Sequence, residues 1–196
     1  MIGLGIKFHE PKTKQGAIMR KILIIMTVIM STALMGQIRL TADMAGTLAN
    51  DVLGFPDVDS QLGITLGYDH VLGNAGSLEY GAGLEYQLNR GAEYSGNDLG
   101  KFGFTSISGF LHYNYSESIY TGSRLGYAIM FSGDDDFAGD NDLKGGIGWG
   151  AHFGYNINEQ MGVELSYNSN DGTMDVGGTE VTFRYTRLSV SFLYSL

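Results

Sequence analysis

Leu78-Glu79-Tyr80-Gly81-Ala82-Gly83-Leu84-Glu85-Tyr86-Gln87-Leu88-Asn89 alternates without a break. In an extended chain, successive side chains point to opposite faces. Leu78, Tyr80, Ala82, Leu84, Tyr86 and Leu88 therefore share one face, and Glu79, Gly81, Gly83, Glu85, Gln87 and Asn89 share the other. This period predicts a β-strand. The character of its polar face, mostly glycine, amide and occasional acid, decides which way the fold is turned.

The same alternation extends in both directions. Ile38, Leu40, Ala42 and Met44 oppose Arg39, Thr41 and Asp43; Leu62, Ile64, Leu66 and Tyr68 oppose Gln61, Gly63, Thr65, Gly67 and Asp69. Leu125, Tyr127, Ile129 and Phe131 oppose Tyr120, Gly122, Arg124, Gly126 and Ala128. Ile147, Trp149, Ala151, Phe153 and Tyr155 oppose Gly146, Gly148, Gly150, His152 and Gly154. Met161, Val163, Leu165 and Tyr167 oppose Gly162, Glu164, Ser166 and Asn168, and Leu188, Val190, Phe192, Tyr194 and Leu196 oppose Arg187, Ser189, Ser191 and Ser195. A further segment at 102–114 changes phase between Phe102/Phe104 and Ile107/Leu111/Tyr113, which predicts a bulge near Thr105-Ser106. The pattern gives eight strands and no competing helical period. Long connections are expected at 49–59, 90–100, 132–144 and 168–180, and short ones at 72–76, 115–119 and 156–160. Long and short alternate as antiparallel neighbours require.

Two all-β folds have this pattern. A soluble, lipocalin-like barrel turns its apolar face inward, whereas a membrane barrel turns it to lipid around a polar lumen. A solvated exterior carries Lys and Glu at high density, and glycine there weakens a strand without return. A narrow lumen needs small residues, because they leave room for the few long ones. The apolar face also carries Tyr80, Tyr86, Tyr113, Tyr127, Tyr155, Tyr167 and Tyr194, as an interfacial girdle does. The reading is an eight-stranded antiparallel up-and-down transmembrane β-barrel over residues 37–196.

Composition agrees. Only 17% of the 196 residues are charged, against about 25% in soluble domains. There are 30 glycines, 12 tyrosines, ten phenylalanines, one tryptophan and no cysteine. The absent cysteine excludes a disulfide scaffold, a thiolate metal site and a thiol nucleophile. A net charge of −9 excludes a nucleic-acid partner, which needs a basic face.

Met19-Arg20-Lys21, the apolar run 22–30 and the small residues Ser31, Thr32, Ala33 and Gly36 form a secretory signal peptide, expected to be helical, over 19–36. Cleavage after Ala33 and after Gly36 both fit. Residues 1–18 read as a start-site extension with no fold. Removing 1–36 takes five of the 12 Lys and Arg and one of the 21 acids, so 7 bases face 20 acids and the net charge becomes −13. The expected destination is a bacterial outer membrane, with long loops outside and both termini in the periplasm.

Leu84-Glu85-Tyr86, residues 119–127 (Ile-Tyr-Thr-Gly-Ser-Arg-Leu-Gly-Tyr), residues 161–167 (Met-Gly-Val-Glu-Leu-Ser-Tyr) and the terminal 190–196 (Val-Ser-Phe-Leu-Tyr-Ser-Leu) together resemble the small outer-membrane β-barrel family, the eight-stranded barrels of the OmpA/OmpX kind. That family usually ends on an aromatic residue read by the barrel-assembly machinery. This chain ends on Leu196, with Tyr194 and Phe192 in the expected phase. The resemblance implies lipid bilayer and lipopolysaccharide as surroundings, the assembly machinery as a partner during insertion, and a monomer.

Candidate sites follow from the faces. Arg39, Asp43, Asp69, Glu79, Glu85, Arg124, Glu164 and Arg187 point into the lumen, where each charge must be paired or wetted. Arg187 is expected to meet Glu164 and Asp43, and Arg124 to reach Glu85 or Glu164. The densest loop acids, Asp134, Asp135, Asp136, Asp140 and Asp142, suit weak binding of a hard cation such as calcium, without an EF-hand spacing. His70, His112 and His152 do not combine with a serine and a carboxylate at the outer rim, so no hydrolase triad and no cofactor are expected. The resulting function is structural, adhesive or envelope-supporting, with extracellular ligands taken by the loops. The alternatives are a narrow porin-like channel for small solutes or cations and, further off, a soluble lipocalin-like binder.

Overall fold

The computed structural model describes residues 36–50, 57–134, 143–176 and 178–196. The expected start-site extension and nearly all of the signal peptide lie outside the described residues, as do Asp135, Asp136, Asp140 and Asp142. The described chain folds into ten strand segments. They are β1 (Gly36–Asn50), β2 (Val58–Ser60), β3 (Gly63–Ala75), β4 (Leu78–Gln87), β5 (Arg90–Tyr94), β6 (Asn97–Asn114), β7 (Ile119–Ser132), β8 (Leu143–Asn156), β9 (Met161–Val176) and β10 (Thr179–Ser195).

They make eight rungs, because two rungs are interrupted. Gln61-Leu62 separates β2 from β3, yet both pair with β1; Leu88-Asn89 separates β4 from β5, yet both pair with β6. Every neighbouring pair is antiparallel, and β10 closes the sheet on β1 from Gln37↔Ser195 to Asn50↔Phe183. Closure satisfies the last edge, which a sheet in lipid cannot leave open. Gly36, Leu196 and the turns at 76–77, 115–118 and 157–160 gather at one end, called the turn end below. The opposite end is the loop end.

The faces fall as the period dictates. Ile107, Leu125, Ile147 and Trp149 point outward, and Leu125 is 66% exposed. The outward residues of β10 mark the limit of the apolar band: Leu188, Val190, Phe192 and Tyr194 lie below it, and Glu180, Thr182, Arg184 and Thr186 above. From Leu188 to Leu196 is nine residues, and a tilted strand needs about 9–11 to cross hydrocarbon. Tyr113, Tyr155 and Tyr194 sit within a residue or two of their strands' turn ends, while Tyr86, Tyr127 and Tyr167 form a second tier nearer the loop end.

Three expectations are corrected. The 105–106 bulge is absent: β6 keeps an unbroken register with β7 from Phe102↔Ser132 to Asn114↔Tyr120. Phe102 and Phe104 simply point inward with Ser106, Phe110 and His112. The interruptions fall in β1, between Asp43 and Ala45, in β3, between Val71 and Gly73, in the β5–β6 pairing, between Gly91 and Glu93, and in β8, between Gly145 and Gly148. The stretch 90–100 is not a loop but a hairpin of β5 and β6, turning on Ser95-Gly96 with φ of 49° and 78°. Two consecutive left-handed residues match the twist of the flanking strands, and glycine takes the second without strain. Residues 168–176 and 179–180 are likewise strand, since β9 and β10 stay paired from Tyr194↔Met161 to Thr179↔Val176. The barrel thus continues well past its apolar band.

Candidate functional site

The lumen is filled in layers. At the loop end, Leu48, Ala92, Phe102, Phe104, Ala128, Met130 and Tyr185 pack together inside the barrel, with Val58, Leu143 and Phe183 against them. Phe102 meets the Tyr185 ring edge-on at 5.1 Å between centroids, and Phe104 stacks on it at 6.0 Å. An apolar cluster on the inner face contradicts a purely polar lumen. It becomes possible because the rungs here stand above the band that meets lipid, where the interior is the only place to bury apolar area.

Below it lies an alternating chain of charges. Arg90 Nη1 lies 2.6 Å from Asp43 Oδ2 and also donates to Tyr185 Oη at 2.8 Å. Asp43 Oδ1 takes Arg187 Nε at 3.0 Å and the Ser189 hydroxyl at 2.6 Å, while Oδ2 takes the Thr65 hydroxyl at 2.9 Å. Arg187 Nη2 reaches Glu85 Oε2 at 3.4 Å, and Arg39 Nη2 lies 2.6 Å from Glu85 Oε1. Arg124 grips Asp69 in a bidentate pair at 2.7 and 2.9 Å and lies 5.4 Å over the Phe110 ring. Arg39 and Arg124 both stand back from Glu164, at 3.7 and 3.8 Å. Four arginines face four acids, Asp43, Asp69, Glu85 and Glu164. Isolated, each buried charge costs several kcal/mol; alternation and hydroxyl donors offset that cost.

The expected lumen residues are therefore placed as follows. Arg39, Asp43, Glu85, Arg124, Glu164 and Arg187 share the central layer. Arg187 pairs with Asp43, but its second partner is Glu85 rather than Glu164. Arg124 does approach Glu164, yet its short contacts are to Asp69. Glu79 stands apart, near the turn end, accepting from His112 Nδ1 at 3.1 Å. The residue that sequence reasoning missed is Arg90, assigned to a loop. Charge balance was the available signal: five inward acids against three inward arginines leave a deficit, and Arg90 directly follows the third alternating segment.

Toward the turn end, His112, Tyr120 and His152 form an aromatic layer, with His112 4.9 Å from both other rings. Register explains the meeting. His112 of β6, Gly122 of β7 and His152 of β8 lie in one row, and a Cβ at 122 would strike both imidazoles. Tyr120 Oη donates to Glu164 Oε2 at 3.3 Å. Below this layer a cavity of about 490 Å³ opens at the turn end, with Glu79, Phe110, His112 and Tyr120 in its wall.

Among the described residues, five of the acids expected in loops serve the hairpins. Asp98 Oδ1 accepts from Gly100 N at 2.9 Å and Asp175 Oδ1 from Gly178 N at 2.8 Å. Asp171 binds Arg184 at 2.8 Å, and Glu180 binds Lys144 at 3.2 Å. Asp134 Oδ1 accepts the Lys101 amide at 3.0 Å, and its carbonyl takes the Ser132 hydroxyl.

This architecture, a closed eight-rung antiparallel barrel with an apolar girdle and a charged, filled interior, is that of the small outer-membrane barrels. Comparison with one solved structure agrees on the fold. Neisserial surface protein A is 18% identical, with a TM-score of 0.50 over 82% of this chain and 97% of that one. Ail of Yersinia pestis is 13% identical (TM-score 0.48, 81% and 97% covered) and OprG of Pseudomonas aeruginosa 12% identical (TM-score 0.45, 82% and 97% covered). By sequence, no family model and no curated protein matches.

Proposed function

We propose that the chain is an integral outer-membrane barrel that does not conduct and acts through its outer surface, in an adhesive or envelope-supporting role. The loop end faces outward and the turn end faces the periplasm, as the signal-peptide pattern at 19–36 and the longer hairpins at the loop end suggest. Lipid surrounds the band, lipopolysaccharide meets the acidic outer hairpins, and the assembly machinery inserts the chain as a monomer. No catalytic step is assigned.

The observation that carries this reading is the double seal. The aromatic cluster around Tyr185 closes the loop end, and the four-arginine layer closes the middle. Arg90 joins the two by binding both Asp43 and Tyr185. Eight strands leave an interior that side chains can fill, and here they do. The turn-end cavity ends against the His112–Tyr120 layer. Single-channel recording of the purified protein in planar bilayers tests the reading. The expected record is flat, with at most rare small openings. Steady, cation-selective conductance would replace this proposal with a narrow channel.

A further inference from the structure

Several buried polar atoms make no hydrogen bond, among them Nε of Arg39, Arg90 and Arg124 and Oγ of Ser169, and three more belong to one cluster of metal-ligating side chains. His112 Nε2, His152 Nε2 and Glu164 Oε1 are all buried and make none. His112 and His152 are 6% exposed and Glu164 is 2% exposed. The ligand atoms of the three lie within 4.8 Å of one another. A buried polar atom without a partner is costly; the cluster offers two such imidazole nitrogens beside a carboxylate whose Oε2 lies 3.8 Å from His152 Nε2 and also accepts from Tyr120 Oη.

We propose that His112, His152 and Glu164 hold a divalent transition metal of the zinc class. Two imidazoles and one carboxylate, with a fourth position open to water, is an established zinc donor set. Magnesium and calcium favour sites made of oxygens alone, so the two imidazoles select against them. The size fits. Three atoms no more than 4.8 Å apart share a centre within about 2.8 Å of each, and zinc bonds of about 2.0–2.2 Å need each side chain to move in by under about 1 Å.

The second layer is also in place. Glu79 Oε1 lies 3.1 Å from His112 Nδ1. A carboxylate accepts, so Nδ1 carries the proton and Nε2 keeps the lone pair that a metal needs. Gly122, between the two histidines in register, leaves the space in which their rings meet.

Two arginines could oppose a cation here. Their short contacts lie elsewhere: Arg39 is 2.6 Å from Glu85 and Arg124 is 2.7 Å from Asp69, whereas both stay 3.7–3.8 Å from Glu164. Glu164 is thus the acid of the central layer least engaged by arginine. Glu79 adds a negative charge beside the site that no arginine pairs among the described residues. The turn-end cavity, with His112 in its wall, gives the ion a way in.

The test is calorimetric titration of Zn²⁺ into protein extracted from the outer membrane, stripped with chelator and carrying no affinity tag. One Zn²⁺ per chain is expected, undisplaced by excess Mg²⁺ or Ca²⁺. His112→Ala and His152→Ala should each weaken binding at least about tenfold, and Glu79→Leu, which removes the acceptor that fixes the His112 tautomer, about 10–100-fold. His70→Ala should leave binding unchanged. No stoichiometric uptake, or uptake that survives in the His112→Ala/His152→Ala double variant, would overturn the proposal. The heat-dependent shift of the gel band reports whether each variant is folded. If the histidine variants do not fold, X-ray absorption at the zinc edge of the unmodified protein decides. Two imidazole nitrogens at about 2.0–2.1 Å support the site, and a shell of oxygens alone overturns it.

Discussion

Replacing Asp43 with alanine removes the acceptor at the junction of the lumen. Its carboxylate takes Arg90, Arg187, Thr65 and Ser189, all between 2.6 and 3.0 Å. Without it Arg187 keeps Glu85 at 3.4 Å, but Arg90 retains only the hydroxyls of Tyr185 and Thr65. Stranding a buried guanidinium in this way costs about 3–5 kcal/mol. The converse variant, Arg90→Ala, leaves Asp43 still neutralised by Arg187, so it should cost less. The double variant should fall short of the sum by about 2 kcal/mol or more, since removing both charges strands neither. Urea unfolding in detergent micelles, followed by the fluorescence of Trp149, the chain's one tryptophan, reads all three. A cost below about 1 kcal/mol for Asp43→Ala, or Arg90→Ala proving the worse of the single variants, would refute the reasoning.

Other predictions follow from the same geometry. Arg184→Ala breaks an exposed pair with Asp171 above the apolar band and should cost no more than about 1 kcal/mol, within reach of the same urea assay. Tyr185→Ala removes the ring on which Phe102 and Phe104 pack, with the hydroxyl that Arg90 binds, and should cost about 3–5 kcal/mol. It should nonetheless stay silent in planar bilayers, because the arginine layer remains; steady current would show that the aromatic cluster is the sole seal. Gly122→Ala puts a methyl group against both imidazoles and should cost about 1–3 kcal/mol by overpacking, seen as a lower urea midpoint. Amide exchange should protect Thr182, Arg184 and Thr186 as well as the membrane segment, since β9 and β10 stay paired to Val176↔Thr179; rapid exchange above Leu188 would contradict the extended hairpin.

How far the sequence showed this depends on what each face touches. Outward residues such as Leu40, Leu84 and Phe192 meet one uniform surroundings, lipid, so period two alone located them. The inward glycines and serines were legible for a similar reason, since the lumen is narrow along its whole length. Phe102 and Phe104 were not, because they are apolar residues on the inner face above the band. A pattern that equates apolar with outward had to invoke a bulge to accommodate them. Arg90 was misplaced because it follows the break at Leu88-Asn89, and the stretch from 168 to 176 because polar strands that stand in water above a membrane read like loops. Arg187–Asp43 was visible from strand order, while the choice of Glu85 over Glu164 depends on side-chain reach across the lumen. The row His112–Gly122–His152 needs the register of three strands, which one chain of letters does not state.

The cysteine-free chain allows the central claim to be tested by single spin labels placed in turn at residues 186–195. At 188, 190, 192 and 194 the label should collide with oxygen dissolved in lipid and not with a water-soluble nickel chelate. At 187, 189 and 191 it should collide with neither, because a filled lumen admits neither. Loss of that alternation, or chelate reaching 188, 190, 192 or 194, would contradict a lipid-facing barrel. Chelate reaching 187, 189 or 191 would contradict a closed one.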